Sequence, residues 1–386
     1  MAPGQSLTYF LPELVLIGAI LAVIVLDLAR DQGRPAGEGP GTVALIAAGI
    51  ALVLTVGVPD VGIRGLLGDP ARAWLFGRML VLDGFGTFFK VLIGLALVAV
   101  VWMSLGSHEV RGRPNEGEYY TLVLSGGLGM FLMASAGNLL MAYLALEFVS
   151  LTSYVLTGFL PHDRRSGEAA LKYLIYGGVA SGAMIYGMSW VFGLTGTMDY
   201  AGIAGAVGAL PAASQAAFFL ALVLVLAGFG YKISAVPFHM RAPDVYTGAP
   251  IPVTAFLAVG SKAAGFAVLL RFFDFGVTPV GPAPALAAGP FPALVAIMCA
   301  ATMTLGNFAA LGQTNMKRLL AYSSIAHAGY ALLGFVVFAA TGVEAVLVYL
   351  AVYYLMNLGA FWVVMLVKNA TGREDLAAYQ IGRAHV

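Results

Sequence analysis

Six residues carry chemistry where charge is expensive: Glu147, Lys172, Lys232, Lys262, His239 and His327 lie within or beside long apolar runs. A charge at the centre of a bilayer costs at least ~2.5–3.5 kcal/mol, so each demands a reason for being there. Counting ~1.5 Å per helical residue puts Glu147, Lys262 and His327 near mid-membrane. Lys232 precedes a proline-interrupted stretch, Lys232-Ile-Ser-Ala-Val-Pro-Phe-His239, and Lys172 lies nearer the cytoplasmic end of its run. A row of such groups can pass protons: desolvation disfavours the ammonium, a nearby carboxylate restores it, and internal water links them. The competing reading is a buried ion pair of Glu147 with one lysine that only fixes helix packing. One carboxylate against two or three deep cations leaves a surplus that packing does not require. His327 is equally explained by a hydrogen bond to Ser323 or another neighbour, and Lys172 by a side chain reaching the polar face. Lys90 is read as reaching outward and stays outside the row.

The elements that hold these residues follow from composition. Hydrophobic residues make up 60% of the chain and charged residues 10%, with a mean hydropathy of +0.90. A soluble surface cannot be covered with so few charges, so the solvent is lipid. The net charge of +1 and the lack of any Lys/Arg run speak against nucleic acid as a partner. A single cysteine, Cys299, excludes a Cys-ligated iron–sulfur cluster and an internal disulfide. The five histidines lack metal-ligand spacing, and neither GxGxxG nor GxxxxGK[ST] occurs. The chain is therefore expected to hold no cofactor and no redox centre of its own.

Apolar stretches long enough to cross ~30 Å of hydrocarbon fall near 8–29, 41–58, 83–106, 118–136, 138–160, 168–194, 214–241, 250–273, 291–311, 317–340 and 344–367. The expected fold is an all-α integral membrane protein of about eleven transmembrane helices. The first run lacks a basic flank and spans a bilayer by itself, so it reads as a retained helix rather than a cleaved signal. Alternate joints carry Arg30, Arg34, Arg111, Arg113, Arg164, Arg165, Arg241, Lys317, Arg318, Lys368 and Arg373 against Arg64, Arg72, Arg78 and Arg271. The richer side should be cytoplasmic, which places the N-terminus outside. Pro237 breaks the seventh span, and broken helices at membrane depth line cavities and ion sites. Ala145–Phe159 and Ala321–Phe335 match at five of fifteen positions, and these are spans five and ten. An odd offset turns the second copy upside down, the mark of an inverted repeat. Gly178 and Gly182 offer a small-residue face for helix packing, and Tyr119 and Tyr120 read as interfacial anchors.

Several strings are specific. Phe229-Gly-Tyr-Lys-Ile-Ser-Ala-Val-Pro-Phe-His239, Ala242-Pro-Asp-Val-Tyr246, Gly248-Ala-Pro250, Val253-Thr-Ala-Phe256 and Ser261-Lys-Ala-Ala264 closely resemble the antiporter-like membrane subunits of proton-pumping NADH:quinone oxidoreductase, complex I. So do Glu168-Ala-Ala-Leu-Lys-Tyr173 and Met316-Lys-Arg-Leu-Leu-Ala-Tyr-Ser-Ser-Ile-Ala-His327, and within that group the chain looks like subunit N rather than its M and L relatives. The resemblance implies inverted five-helix repeats with a discontinuous helix in each. It implies proton translocation driven by quinone reduction elsewhere in the complex, in a bacterial inner membrane, between other membrane subunits. NADH, FMN, iron–sulfur clusters and quinone would belong to the complex. Glu147 and Lys232 would form the paired site, Lys262 the central relay, and Lys172 and His239 would modulate the path. His327 would belong to the second half. Position 241 is Arg where the family usually has Trp, which puts in doubt how that end meets the interface.

The expected division is 1–110 for helices one to three, 111–275 for the first repeat, and 276–386 for an incomplete second repeat. Residues 381–386 fit no membrane helix, so the natural protein is expected to continue into further spans with another lysine. A cation/proton antiporter subunit or a membrane subunit of a hydrogenase-like complex are the alternatives, separable by neighbouring genes. The Lys/Arg asymmetry generates a direct test: reporter fusions after Arg165 and Arg318 should be cytoplasmic, and one between Gly196 and Pro211 periplasmic. An exported Arg165 fusion would overturn both orientation and helix count.

Overall fold

The computed structural model describes residues 3–29, 39–57, 73–273, 290–337 and 340–379. Arg30, Arg34, Arg64, Arg72, most of the 59–82 joint, His385 and the 381–386 tail lie outside the described residues. Among the described residues, eleven helices are long enough to span hydrocarbon: α1 Leu11–Leu28, α2 Gly39–Gly57, α3 Gly84–Leu105, α4 Glu116–Ser135, α5 Leu139–Thr157, α6 Arg164–Thr195, α7 Ala212–Ile233, α8 Ile251–Arg271, α9 Phe291–Leu311, α10 Met316–Val336 and α11 Ala340–Thr371. Ten are apolar enough to rank as membrane spans outright, and α4, with Glu116 and Glu118 in its first turn, is the exception. The chain is thus a multi-pass membrane protein. Helices α6 and α11, at 32 residues each, are about 48 Å long and outreach the ~30 Å hydrocarbon layer.

Polar joints start the helices locally. Asp83, Asn138, Asp163 and Asn315 each accept a hydrogen bond from a first-turn amide of α3, α5, α6 and α10, which satisfies donors that a helix start leaves free. Alternate joints meet on common faces. A hairpin of β1 Ala73–Leu75 and β2 Leu80–Leu82 abuts residues 136–138 and, through them, 198–199. On the opposite face Glu109 accepts from the Ile251 amide at 2.8 Å, and Met316 N donates to Glu374 O at 2.8 Å.

The break is sharper than the sequence suggests. Helix α7 ends at Ile233, not near 241, with Ser234 in the left-handed region at φ 62°, and a short helix Arg241–Gly248 follows before α8. The backbone groups freed there find partners: Val236 N donates to Thr302 Oγ1 of α9 at 2.9 Å, and Arg241 Nη2 donates to the carbonyls of Tyr231 and Lys232. Irregular backbone at this depth survives only when satisfied inside protein. Helix α8 is buried along its whole length and contains a π-turn over Leu257–Ser261, immediately before Lys262.

Other expectations change. Lys90 does not reach outward; it is buried and pairs with Glu13 of α1 at 2.5 Å. Glu147 is therefore not the only deep carboxylate. Arg271, counted as a joint residue, is 2% exposed and makes a bidentate pair with Asp83, both contacts 2.8 Å, while also donating to Ala134 O. Arg241 and Lys317 are likewise buried. Tyr119 and Tyr120 are fully buried rather than interfacial, because Tyr119 OH finds Ser104 Oγ at 2.8 Å inside the bundle. Gly178 and Gly182 are exposed, and a Cβ at either would meet no other part of the chain; in α6 the packing glycines are Gly177, against Tyr154, and Gly187, against α7 at Ala221–Val225.

The Asp83–Arg271 pair ties α3, α4 and α8 together. Arg271→Met alone strands the aspartate and should destabilise by about 3–5 kcal/mol. Adding Asp83→Leu should recover most of that, short of ~1 kcal/mol for the lost helix cap. Thermal melting of the chain in purified membranes measures it, and equal losses in single and double variants would contradict a compensating pair.

Candidate functional site

Lys232 occupies the last turn of α7, 2% exposed, and its Nζ lies 3.2 Å from Ser150 Oγ of α5. Ser150 Oγ already donates to Leu146 O at 2.7 Å, which leaves its lone pairs to the ammonium. Glu147 stands one turn away on the same helix, half-buried, and its Oε1 is buried without a hydrogen-bond partner. The expected direct Glu147–Lys232 ion pair is therefore not formed in this arrangement. Lys232 is beside the carboxylate but bound to a neutral hydroxyl. Gly265 of α8 backs onto the same lysine: a Cβ there would meet Ile233 Cγ2 at 2.9 Å and Lys232 Cγ at 3.2 Å. The missing side chain lets α8 close on α7, and Gly265 is one turn from Lys262.

Lys262, also 2% exposed, reaches across to α10, where Nζ donates to both the carbonyl and the hydroxyl of Ser324 at 2.5 Å. Tyr353 of α11 donates to the same hydroxyl at 2.8 Å, and Tyr246 OH lies 3.4 Å from it. His327 hydrogen-bonds Tyr349 OH through Nδ1, not Ser323, and its ring lies 5.3 Å from that of Tyr353. Lys262, Ser324 and Tyr353 so form one hydrogen-bonded string across α8, α10 and α11, and the His327–Tyr349 pair continues it across a ring contact with Tyr353. The sequence reading missed Ser324, Tyr349 and Tyr353. Two tyrosines four apart inside a long apolar helix share a face, and that spacing was the available signal.

The remaining two residues stand apart. Lys172 makes no hydrogen bond or ion pair with Glu147, Lys232 or Lys262; it pairs with Glu168 at 2.7 Å and with Asp244 at 2.8 Å. Asp244 also accepts from Arg318 at 2.7 Å, so the short helix after the break is bolted to α6 and α10. Burial works against the Asp244 charge, but hydrogen bonds from Lys172 and Arg318 outweigh it and hold the carboxyl below its ordinary range. His239 lies in the break, half-buried, its Nδ1 without a partner. On the same face Glu109 and Glu374 interleave with Lys317 and Lys368 around a cavity of about 330 Å³. Burial also opposes the Glu374 charge, and the flanking Lys317 and Lys368 overcome it and lower its carboxyl. Among the described residues, no three His, Cys, Asp or Glu side chains are placed to hold a metal ion.

Comparison with known proteins adds four likenesses. A family described as "NADH:quinone oxidoreductase/Mrp antiporter, TM" matches residues 136–381. The chain is 49% identical to NADH-quinone oxidoreductase subunit N 2 of Sorangium cellulosum, over 98% of this chain and 75% of that relative. Among solved structures, a chain of respiratory complex I from Thermus thermophilus aligns with a TM-score of 0.72 and 34% identity, covering 92% of this chain and 70% of its own. A chain of an archaeal membrane-bound sulfane sulfur reductase shares the fold at a TM-score of 0.82 and 20% identity, over 97% and 74% of the two chains.

Ser324 is the residue to probe first. Ser324→Ala removes the hydroxyl shared by Lys262 and Tyr353, and should cut proton translocation in membrane vesicles about tenfold, the ~1.5 kcal/mol worth of a hydrogen bond to a charged group. Ser323→Ala should leave it near normal. Unchanged translocation in the Ser324 variant would remove that residue from the string.

Proposed function

The chain belongs to the transmembrane family of NADH:quinone oxidoreductases and Mrp antiporters, and on that premise we propose that it is the subunit N type of complex I membrane subunit, translocating protons while other subunits carry electrons from NADH to quinone. The observation that carries this reading is the pair of buried lysines, Lys232 and Lys262, each bound to a serine hydroxyl instead of a carboxylate beside a broken helix. A packing ion pair would be closed. These are held by groups that can also accept water or a proton.

In this proposal Glu147 and Lys232 are the switch, Lys262 is the relay toward α10, and His327 receives the path in the second half. Lys172 acts through Asp244 and the short helix, and His239 through the break that it sits in. The inner bacterial membrane is the location, with the Lys/Arg-rich face cytoplasmic and the N-terminus outside. Other membrane subunits flank the chain on both sides, and the redox cofactors reside elsewhere in the complex. Residues 111–275 and 276–386 are assigned to two inverted repeats behind helices one to three. The odd offset between α5 and α10 supports that division.

Lys232 decides the mechanism. Lys232→Ala should strongly lower proton pumping and coupled quinone reduction in the assembled complex. Lys232→Arg should impair both as well, because a guanidinium keeps its proton near pH 7 and cannot take part in release. A packing role forecasts the opposite for Arg, since a permanent cation still satisfies the site. Vesicles carrying the Arg variant, with assembly verified, separate the two; wild-type pumping there would reduce Lys232 to a structural residue.

A further inference from the structure

One buried cation has no place in the proton path described above. Arg241 is 4% exposed. Its guanidinium lies between the rings of Tyr173 and Tyr231, at 4.3 and 4.2 Å. Its Nη2 donates to the carbonyl oxygens of Tyr231 and Lys232 at 2.9 and 3.3 Å, and its Nε is buried without a partner. No ion pair with a carboxylate is formed by it among the described residues. A guanidinium does not discharge, so a fixed positive charge stands at the C-terminal end of α7. The partial negative charge of that helix end and the two tyrosine faces hold it there.

One of its neighbours is also a cation. The Arg241 guanidinium sits on the backbone carbonyl of Lys232 itself, and like charges repel strongly where water is scarce. The groups facing Lys232 are Ser150 and Glu147 of α5, with Gly265 of α8 behind its stem, while Tyr173 and Tyr231 flank Arg241. Glu147 is the sole anion among them, and in this arrangement its Oε1 is unbonded while Lys232 turns to Ser150.

We propose that Arg241 is a positioning residue for the Lys232 proton: a fixed charge on the last carbonyls of α7 that makes keeping that proton conditional on the approach of the Glu147 carboxylate. The inference rests on the Glu147–Lys232 switch of the preceding section and explains what throws it. Without Arg241, Lys232 would stay charged on Ser150 alone, and the carboxylate would lose its hold over the proton. With Arg241 in place, separation of Glu147 from Lys232 drives the proton onward.

A charge-removal experiment tests this in vesicles that hold the assembled complex. Glu147→Gln alone should lower proton pumping. Arg241→Gln in the otherwise unchanged chain, which keeps an N–H donor for the two carbonyls but removes the charge, should lower pumping by roughly tenfold, within the range of coupling between neighbouring residues, because Lys232 then keeps its proton when Glu147 withdraws. Arg241→Lys, which keeps the charge, should pump near normally. Arg241→Met, also neutral, provides a second arm if the glutamine disturbs assembly. Loss of pumping in the lysine variant as well, or in none of the three, overturns the inference and leaves the switch standing. Normal pumping in Glu147→Gln by itself overturns the switch and the inference with it.

Discussion

A charge in hydrocarbon can be answered by an opposite charge or by oriented dipoles, and this chain uses the two answers in different places. Asp83–Arg271 and Glu13–Lys90 are closed ion pairs that join distant parts of the chain near the hairpin side. Opening either would leave two uncompensated charges in the bundle, so both pairs are scaffolding. Lys232, Lys262 and Arg241 are answered by hydroxyls, carbonyls and ring faces. Neutral partners hold a cation less tightly than a carboxylate does. The proton on either lysine can leave without breaking a closed ion pair, and the site can reload.

The broken α7 makes this arrangement possible. A continuous helix would bond the Lys232 carbonyl to one of its own amides and leave Arg241 only the Tyr231 carbonyl, which also accepts from Ser234 N at 3.1 Å. Because the helix ends at Ile233, those carbonyls become a cation site, and the short helix Arg241–Gly248 brings Arg241 back onto them. Asp244 on the same short helix is gripped by Lys172 and Arg318, so movement of α6 or α10 would be transmitted to Arg241 and Lys232. The fully buried α8 then sets Gly265 against Lys232 and, one turn away, Lys262 on Ser324.

Much of this was legible in the sequence. The length and hydropathy of the apolar runs located the eleven long helices among the described residues, ten of them apolar enough to rank as spans, and Pro237 marked the break because proline cannot supply the ladder amide. Counting residues singled out Glu147, Lys262 and His327, and the helix break singled out Lys232; of these, Lys232 and Lys262 are buried in the bundle and Glu147 and His327 half-buried. What failed to show were pairings across the bundle. Lys90 and Glu13 are 77 positions apart, and no one-dimensional pattern distinguishes a lysine reaching water from one reaching a carboxylate. Arg241 and Arg271 looked like joint residues because they flank apolar runs, yet helix ends that fold back into the bundle bury them. Ser324 and Tyr353 are common residue types in membrane helices, and only the geometry at Lys262 singles them out.

The central claim is that the open lysines are linked by proton-conducting contacts rather than frozen in packing. An experimental density map of the assembled complex, at a resolution that shows ordered water, tests it most directly. The account predicts waters bridging Glu147 to Lys232, and Lys262 through Ser324 and Tyr353 to His327, with no apolar side chain interrupting the string. A dry core, with Glu147 closed permanently on Lys232 and apolar side chains filling the space between Lys262 and His327, would contradict it.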